Sequence, residues 1–238
     1  QRISFILSFD IILELMNEKN DSSNLEQKTC FIIRTLDDLY PNPSIPLNHT
    51  NSFTFLVAVM LSAQSTDKKV NEITPTLFQK AKTPAEMNRL KTDEIQKMIR
   101  QIGLAPTKAK NLKKMANQII KAGGLRSNWD FLESLAGVGH KTASVVMSQW
   151  YNIPAFPVDT HIHRLASRWG LSNGRNVEKT EKDLKKIWDK HLWNRRHLQI
   201  IFFGREHCPA RNHDLAKCII CSWAATKKRI KAESKTNN

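Results

Sequence analysis

The chain has 238 residues, 40% of them apolar, with a net charge of +15. That length and apolar content exclude a disordered chain and leave room for one large or two small domains with real cores. The excess of Lys and Arg runs from Lys68 to Lys235 rather than gathering at one end, which favours a polyanionic partner, nucleic acid before anionic membrane.

No stretch approaches the ~20 consecutive apolar residues of a membrane span. Residues 4–16 are apolar but carry Asp10 and Glu14 and lack a small-residue cleavage site. They are expected to form an extra amphipathic helix or an extension rather than a targeting sequence. Four cysteines in a chain this long do not make a disulfide scaffold.

Glycine is scarce and period-two alternation is absent, so the expected fold class is all-α. Ile32, Leu36 and Leu39 recur at helical spacing and stop at Pro41-Asn-Pro43. Phe53 to Ala63 is almost wholly apolar and suits a central buried helix. Thr83-Pro84-Ala-Glu86 is a helix start, with a hydroxyl at the cap, proline in the first turn and glutamate three on. Thr92 is expected to cap the next helix, which should end at Gly103. Lys108 to Lys121 reads as an amphipathic helix stopped by Gly123-Gly124, and Ser127-Asn-Trp-Asp130 opens another. Beyond Asp159, helices are expected through Trp169, from Val177 to about His191, and from Asn194 to about Gly204. Residues 227–238 read as a basic tail.

The most informative segment is Leu135-Ala-Gly-Val-Gly-His-Lys141-Thr-Ala. It reads as two helices joined by a glycine hairpin. Gly137 and Gly139 permit positive φ and let backbone N–H groups approach an anion, and the helix beginning at His140 adds its dipole. Val138 and Leu135 pack the turn. A hairpin of this kind grips phosphate without reading base edges. Lys141 could be a further phosphate contact or a nucleophile, which must attack as the neutral amine. Eighteen residues on lies Asp159, in Val158-Asp159-Thr-His-Ile. Beside a reacting amine its carboxylate could accept a proton or stabilise positive charge developing on a sugar. It could equally cap the helix that carries His161 and Arg164.

These two segments, with Leu56-Val-Ala-Val-Met-Leu-Ser-Ala-Gln64-Ser-Thr-Asp67, Gly103-Leu104 and Lys108-Ala109, resemble the signature of the endonuclease III family of helix-hairpin-helix DNA glycosylases. The likeness runs in order over about residues 26–223. It implies two all-helical domains flanking a DNA-binding cleft. One is a six-helix domain at 45–153 containing the hairpin. The other is discontinuous, from 26–44 plus 154–226, with 1–25 an extension outside the match. The implied activity is excision of oxidised pyrimidines from damaged double-stranded DNA, with abasic-site lyase activity through a lysine Schiff base and β-elimination. Lys141 matches the family's nucleophile and Asp159 its essential carboxylate. Gln64 falls where the family fills the gap left by an extruded nucleotide. Gly137, Val138, Gly139, His140 and His161 are the remaining candidate DNA contacts. Ala136 stands where a proline is common, which should loosen the turn slightly. The alternatives are a monofunctional mismatch glycosylase of the same fold and a non-catalytic helix-hairpin-helix DNA-binding protein. A monomer is expected, in the cytoplasm and nucleoid of a bacterium or the nucleus or mitochondria of a eukaryote.

The chemistry itself requires no cofactor. Most of the family holds a [4Fe–4S] cluster with four cysteines near the C-terminus, spaced by six, two and five residues. Here Cys208, Cys218 and Cys221 are separated by nine and two residues, and Lys227 stands where the fourth should lie. The region 208–221 is therefore read as a degenerate site without a cluster. A cluster with an unusual fourth ligand, or zinc held by the three cysteines and either His207 or His213, remains as an alternative. Cys30 is expected to pack in a helix as a small hydrophobe.

Overall fold

The computed structural model describes residues 21–226 and 230–231; the expected helix at 4–16 and most of the 227–238 tail lie outside them. The described residues are helical throughout, with no strand. No helix among them is long and apolar enough to cross a membrane.

Helix α1 (Asp21–Leu39) begins earlier than the family likeness and ends just before Pro41-Asn-Pro43. α2 (Ser52–Ser62) is the central buried helix, with every residue from Phe53 to Leu61 buried. Asn51 caps it by accepting the Thr54 N–H at 2.8 Å. α3 (Asp67–Lys80) follows a short turn, and α4 (Pro84–Arg89) opens with the expected box, in which Thr83 and Glu86 cap each other. α5 (Thr92–Met98) departs from expectation: its cap residue is Lys91, one position earlier than the threonine. The Glu94 carboxylate accepts the Lys91 N–H at 2.7 Å, the return bond of a capping box, in place of any bond from a capping hydroxyl to the first turn. The helix also ends before Gly103, through a turn in which Ile102 N–H donates to Ile99.

α6 (Ala105–Lys121) is the long amphipathic helix, and α7 (Trp129–Ser134) is capped by Asn128. α8 (His140–Gln149) follows the hairpin, and α9 (Thr160–Arg168) starts at Asp159. α10 (Val177–Ile187), a 3₁₀ turn (Lys190–Leu192), α11 (Trp193–Glu206) and the short α12 (Cys221–Ala224) complete the described chain.

Apolar side chains gather in two cores. One draws on α2, α3, α6 and α8, from Leu47 to Met147. The other joins Ile32 and Leu36 of α1 to residues between Phe156 and Ala224. In the second core, Arg196 of α11 binds Asp37 of α1 at 2.5 Å, and Gln199 donates to the Leu36 and Tyr40 carbonyls. These bonds tie a helix from the start of the chain to one near its end and satisfy polar groups that burial would otherwise orphan. Cys30 departs from expectation: it lies exposed on α1.

Candidate functional site

The hairpin is built by packing as much as by its glycines. Val138 and Leu135 are buried, and Val138 N–H donates to the Leu135 carbonyl at 3.0 Å. Gly137 has φ +80°, and a Cβ there would come within 2.9 Å of Asn111 Nδ2 and Met60 Sδ. Both conformation and space therefore demand glycine at 137. Gly139 differs: its φ is −96°, open to any residue, and nothing lies within 4 Å of where its Cβ would be. It is the N-cap of α8 and offers no side chain to the first N–H groups of that helix, which leaves them without a side-chain cap.

Ala136, expected to loosen the turn, gains a bond instead. Its N–H donates to Gln118 Oε1 at 2.8 Å, while Gln118 Nε2 donates to the Ser134 carbonyl at 2.9 Å. A proline has no N–H to give, so the substitution exchanges ring rigidity for a clamp from α6.

Lys141 is exposed on the first turn of α8. Its neighbour His140 sets one ring nitrogen 2.7 Å from Glu133 and the other 3.4 Å from Glu181, and stacks on Trp129. As it stands, His140 links the hairpin to α10 through carboxylates, and only its backbone remains for an anion. Asp159 is half-buried and caps α9, its Oδ1 accepting the Ile162 N–H at 2.8 Å. Its Oδ2 carries no hydrogen bond among the described residues.

His197 of α11 connects these groups, although nothing in the sequence singles it out. It is buried and bonds through Nδ1 to the Pro157 carbonyl at 2.8 Å, two residues before Asp159. Burial pushes its pKa down to about 4; the Asp159 charge opposes that shift, and the Lys141 and Arg205 charges reinforce it. His161 is half-buried on the first turn of α9, with Nδ1 3.2 Å from Arg164. Burial lowers its pKa too, with Asp159 opposing and Arg164 and Arg205 assisting.

Gln64 is exposed in the turn after α2, with φ +59°. That left-handed backbone is uncommon outside glycine, and the turn around it is braced. Buried Lys108 of α6 donates to the Leu61 carbonyl at 2.9 Å and the Ala63 carbonyl at 2.5 Å. Gly103 N–H donates to Ser65 Oγ at 3.3 Å, and a Cβ on Gly103 would meet the Gln64 carbonyl at 3.3 Å. The sequence motif includes Gly103 and Lys108 but does not disclose these roles, which depend on contacts between distant segments.

The cysteine region overturns the expected degenerate site. Cys208, His213, Cys218 and Cys221 are all buried, with their potential ligand atoms within 4.8 Å of one another. This donor set could hold a metal, consistent with the family's iron–sulfur cluster and not with its absence. Linear spacing points to a fourth donor near 227, where Lys227 stands, and leaves His207 and His213 only as alternatives. The chain between 208 and 218 instead folds back and brings in an imidazole. Contact among the thiols splits their protonation: hydrogen bonds from Cys208 and Cys221 hold Cys218 well below the ordinary thiol range, while Cys221 is pushed up.

An all-helical fold carrying this hairpin defines a helix-hairpin-helix protein of the base excision repair class. The family profile described as HhH-GPD superfamily base excision DNA repair protein matches residues 57–190. The chain is 40% identical to endonuclease III of Bacillus subtilis (strain 168) over 195 residues, which cover 81% of this chain and 89% of that protein. Against endonuclease III of Escherichia coli (strain K12) it is 36% identical over 201 residues, covering 84% and 95%. Its fold matches a solved non-covalent endonuclease III–DNA complex with TM-score 0.81 at 37% identity, covering 87% of this chain and 98% of that one. The chain belongs to the endonuclease III family.

Proposed function

We propose that Lys141 and Asp159 perform the chemistry of this repair enzyme, and that its substrates are oxidised pyrimidines. The chain is a base excision repair DNA glycosylase with abasic-site lyase activity, and its partner is damaged double-stranded DNA. The observation that carries the residue assignment is the placement of exposed Lys141 on the first turn after the glycine hairpin, with half-buried Asp159 at the cap of α9.

In the proposed reaction, the damaged nucleotide is flipped from the stack, at a cost that is least for a damaged base. The neutral Lys141 amine attacks the anomeric carbon, the glycosidic bond breaks, and the base leaves with the bonding pair and takes up a proton. Opening of the sugar ring gives a protonated Schiff base. Asp159 stabilises the positive charge and takes up the proton released by the amine. Loss of a C2′ proton then expels the 3′ phosphate, nicking the strand, and water releases Lys141. Gln64 fills the gap left in the duplex. Backbone N–H groups from Gly137 to His140 grip a phosphate, Val138 seats the turn, and His161 orients the Asp159 helix. A solved relative is described as a trapped endonuclease III–DNA covalent intermediate, similar over 89% of this chain at TM-score 0.80 and 35% identity. That relative supports a covalent route here.

We further propose two domains, 45–153 and 26–44 plus 154–226, each built on one of the two cores, in a protein that acts as a monomer. The bacterial relatives favour the cytoplasm and nucleoid as its compartment. The Cys208, His213, Cys218 and Cys221 centre, when loaded, would cross-link the end of the chain; no step of the reaction passes through it.

Borohydride trapping on duplex DNA carrying thymine glycol or an abasic site tests the assignment. Wild type forms a covalent adduct and Lys141→Ala forms none; an alanine variant that still traps removes Lys141 as nucleophile. Asp159→Asn retains DNA binding and loses base release.

A further inference from the structure

We propose that His213 is the fourth ligand of a metal centre completed by Cys208, Cys218 and Cys221, in place of the fourth cysteine that this chain lacks. The ligand chemistry is three thiolates and one imidazole, which suits a single zinc ion or an iron–sulfur cluster.

The geometry is direct. His213 Nε2 lies 3.4 Å from Cys208 Sγ, which lies 3.6 Å from Cys221 Sγ. These separations are close to the edge of about 3.8 Å expected for a tetrahedron of sulfurs at about 2.3 Å from one ion. A cluster held by the same side chains needs a wider opening. Imidazole is an established replacement for thiolate on iron in Rieske centres, so the donor set is chemically suited to either.

The fold turns His213 inward by a local device. Asn212 adopts φ +52°, a conformation that asparagine tolerates better than most residues. After it, Asp214 accepts the Cys218 N–H at 3.1 Å and so closes the turn that returns the chain to the thiols. His207, the other histidine nearby, is 43% exposed and lies beside Glu206. His213 is only 6% exposed.

Charge supports the same assignment. A core of charge +2 with three thiolates and a neutral imidazole carries −1. Arg168, which is 1% exposed, donates to Cys208 Sγ at 3.1 Å and to the Pro209 carbonyl at 2.7 Å. That guanidinium places positive charge beside the thiolates, as burial of an ion requires.

The test uses the full chain, purified without chelator and, separately, reconstituted anaerobically with zinc or with iron and sulfide. Elemental analysis, acid-labile sulfide and absorbance near 400 nm identify the metal: zinc without the absorbance, or iron with it. X-ray absorption of the zinc-loaded wild type should show three sulfurs and one nitrogen around the metal; in an iron–sulfur cluster only one iron would carry the nitrogen. His213→Ala should lose metal to a chelator at least roughly tenfold faster, in line with the cost of losing a metal-site interaction. His213→Cys should restore retention, and His207→Ala should match wild type. Four sulfurs and no nitrogen around zinc overturn the assignment. So does a folded His213→Ala that keeps its metal and spectrum, or a folded wild type that takes up neither metal. If His213→Ala does not fold, the wild-type absorption spectrum decides alone. None of these readouts depends on glycosylase activity, so failure here and failure of the lysine assignment are separate outcomes.

Discussion

Arg205, in the last turn of α11, binds Asp67, the first residue of α3, with Nη1 2.6 Å from Oδ2. The pair joins helices from the two apolar cores and anchors the chain immediately after the Gln64 turn. As an ion pair whose arginine is 38% exposed, it should contribute no more than about 1 kcal/mol to stability. Its larger effect should be on the position of Gln64. Arg205→Ala and Asp67→Ala are each expected to weaken binding to abasic duplex several-fold, with little change in unfolding midpoint. The double variant should bind no worse than the weaker single one, because both remove the same contact. Additive losses in fluorescence-anisotropy titrations would show that the residues act independently.

Gln118 should matter to the hairpin although it lies eighteen positions before Ala136. Its amide holds the segment of chain that enters the turn, bonding the Ala136 N–H and the Ser134 carbonyl. Gln118→Leu removes both bonds without opening a large void, at an expected cost of about 0.5–1.5 kcal/mol, since one freed group is exposed and can bond water. Urea unfolding measures that cost, and salt-dependent DNA binding measures its consequence for phosphate gripping. Unchanged stability and unchanged affinity would mean that the glycines and Val138 alone hold the turn.

What the sequence disclosed, and what it hid, follows the range of the interactions. Thr83 with Glu86, the apolar run of α2 and the stops at Pro41 and Gly123 are local signals, and the helices follow them. Lys91 carries no capping side chain and so gives no local signal; Glu94, three residues on, marks the start by accepting the Lys91 N–H. Gly137 carries its own reason, a positive φ, but the Met60 and Asn111 contacts that also forbid a side chain there come from other helices. His197 and Lys108 gave no signal of their bonds, since each reads as one polar residue in a helix and its partners lie 40 or more positions away. At the cysteines, both histidines were visible as donors, but only the fold separates buried His213 from exposed His207.

Burial of neutral His197 makes stability depend on pH. Its folded pKa, about 4, lies below the ordinary 6.5. The unfolded chain therefore gains a proton first as pH falls. The stability contributed by this site is complete above pH 6.5 and is lost progressively down to about pH 4. The shift corresponds to a loss on the order of 3 kcal/mol. Thermal unfolding of the wild type should show a falling midpoint across that window, and His197→Gln should flatten that part of the slope. If the variant keeps the full slope, other groups produce the acid sensitivity.

Lys108 supports the proposed plug from below. Only 6% exposed, it gives its ammonium to two carbonyls at the end of α2, just before Gln64. Burial holds its pKa below the usual lysine value, so the cation is kept at a cost that those carbonyl bonds offset. Lys108→Met keeps the length and apolar stem but leaves both carbonyls without this donor. The expected loss is about 1.5–3 kcal/mol, the range for hydrogen bonds to charged groups. Lys108→Arg should not rescue it, because a planar guanidinium cannot occupy the space of an ammonium that bonds two carbonyls of one helix end. The Gln64 turn should loosen with the loss. Base release from a damaged pair should then fall more than cleavage at a preformed abasic site, which has no base to extrude. Measuring the two steps separately in Lys108→Met decides the matter: equal losses would mark Lys108 as a residue of general stability, and a selective loss of base release would tie it to Gln64.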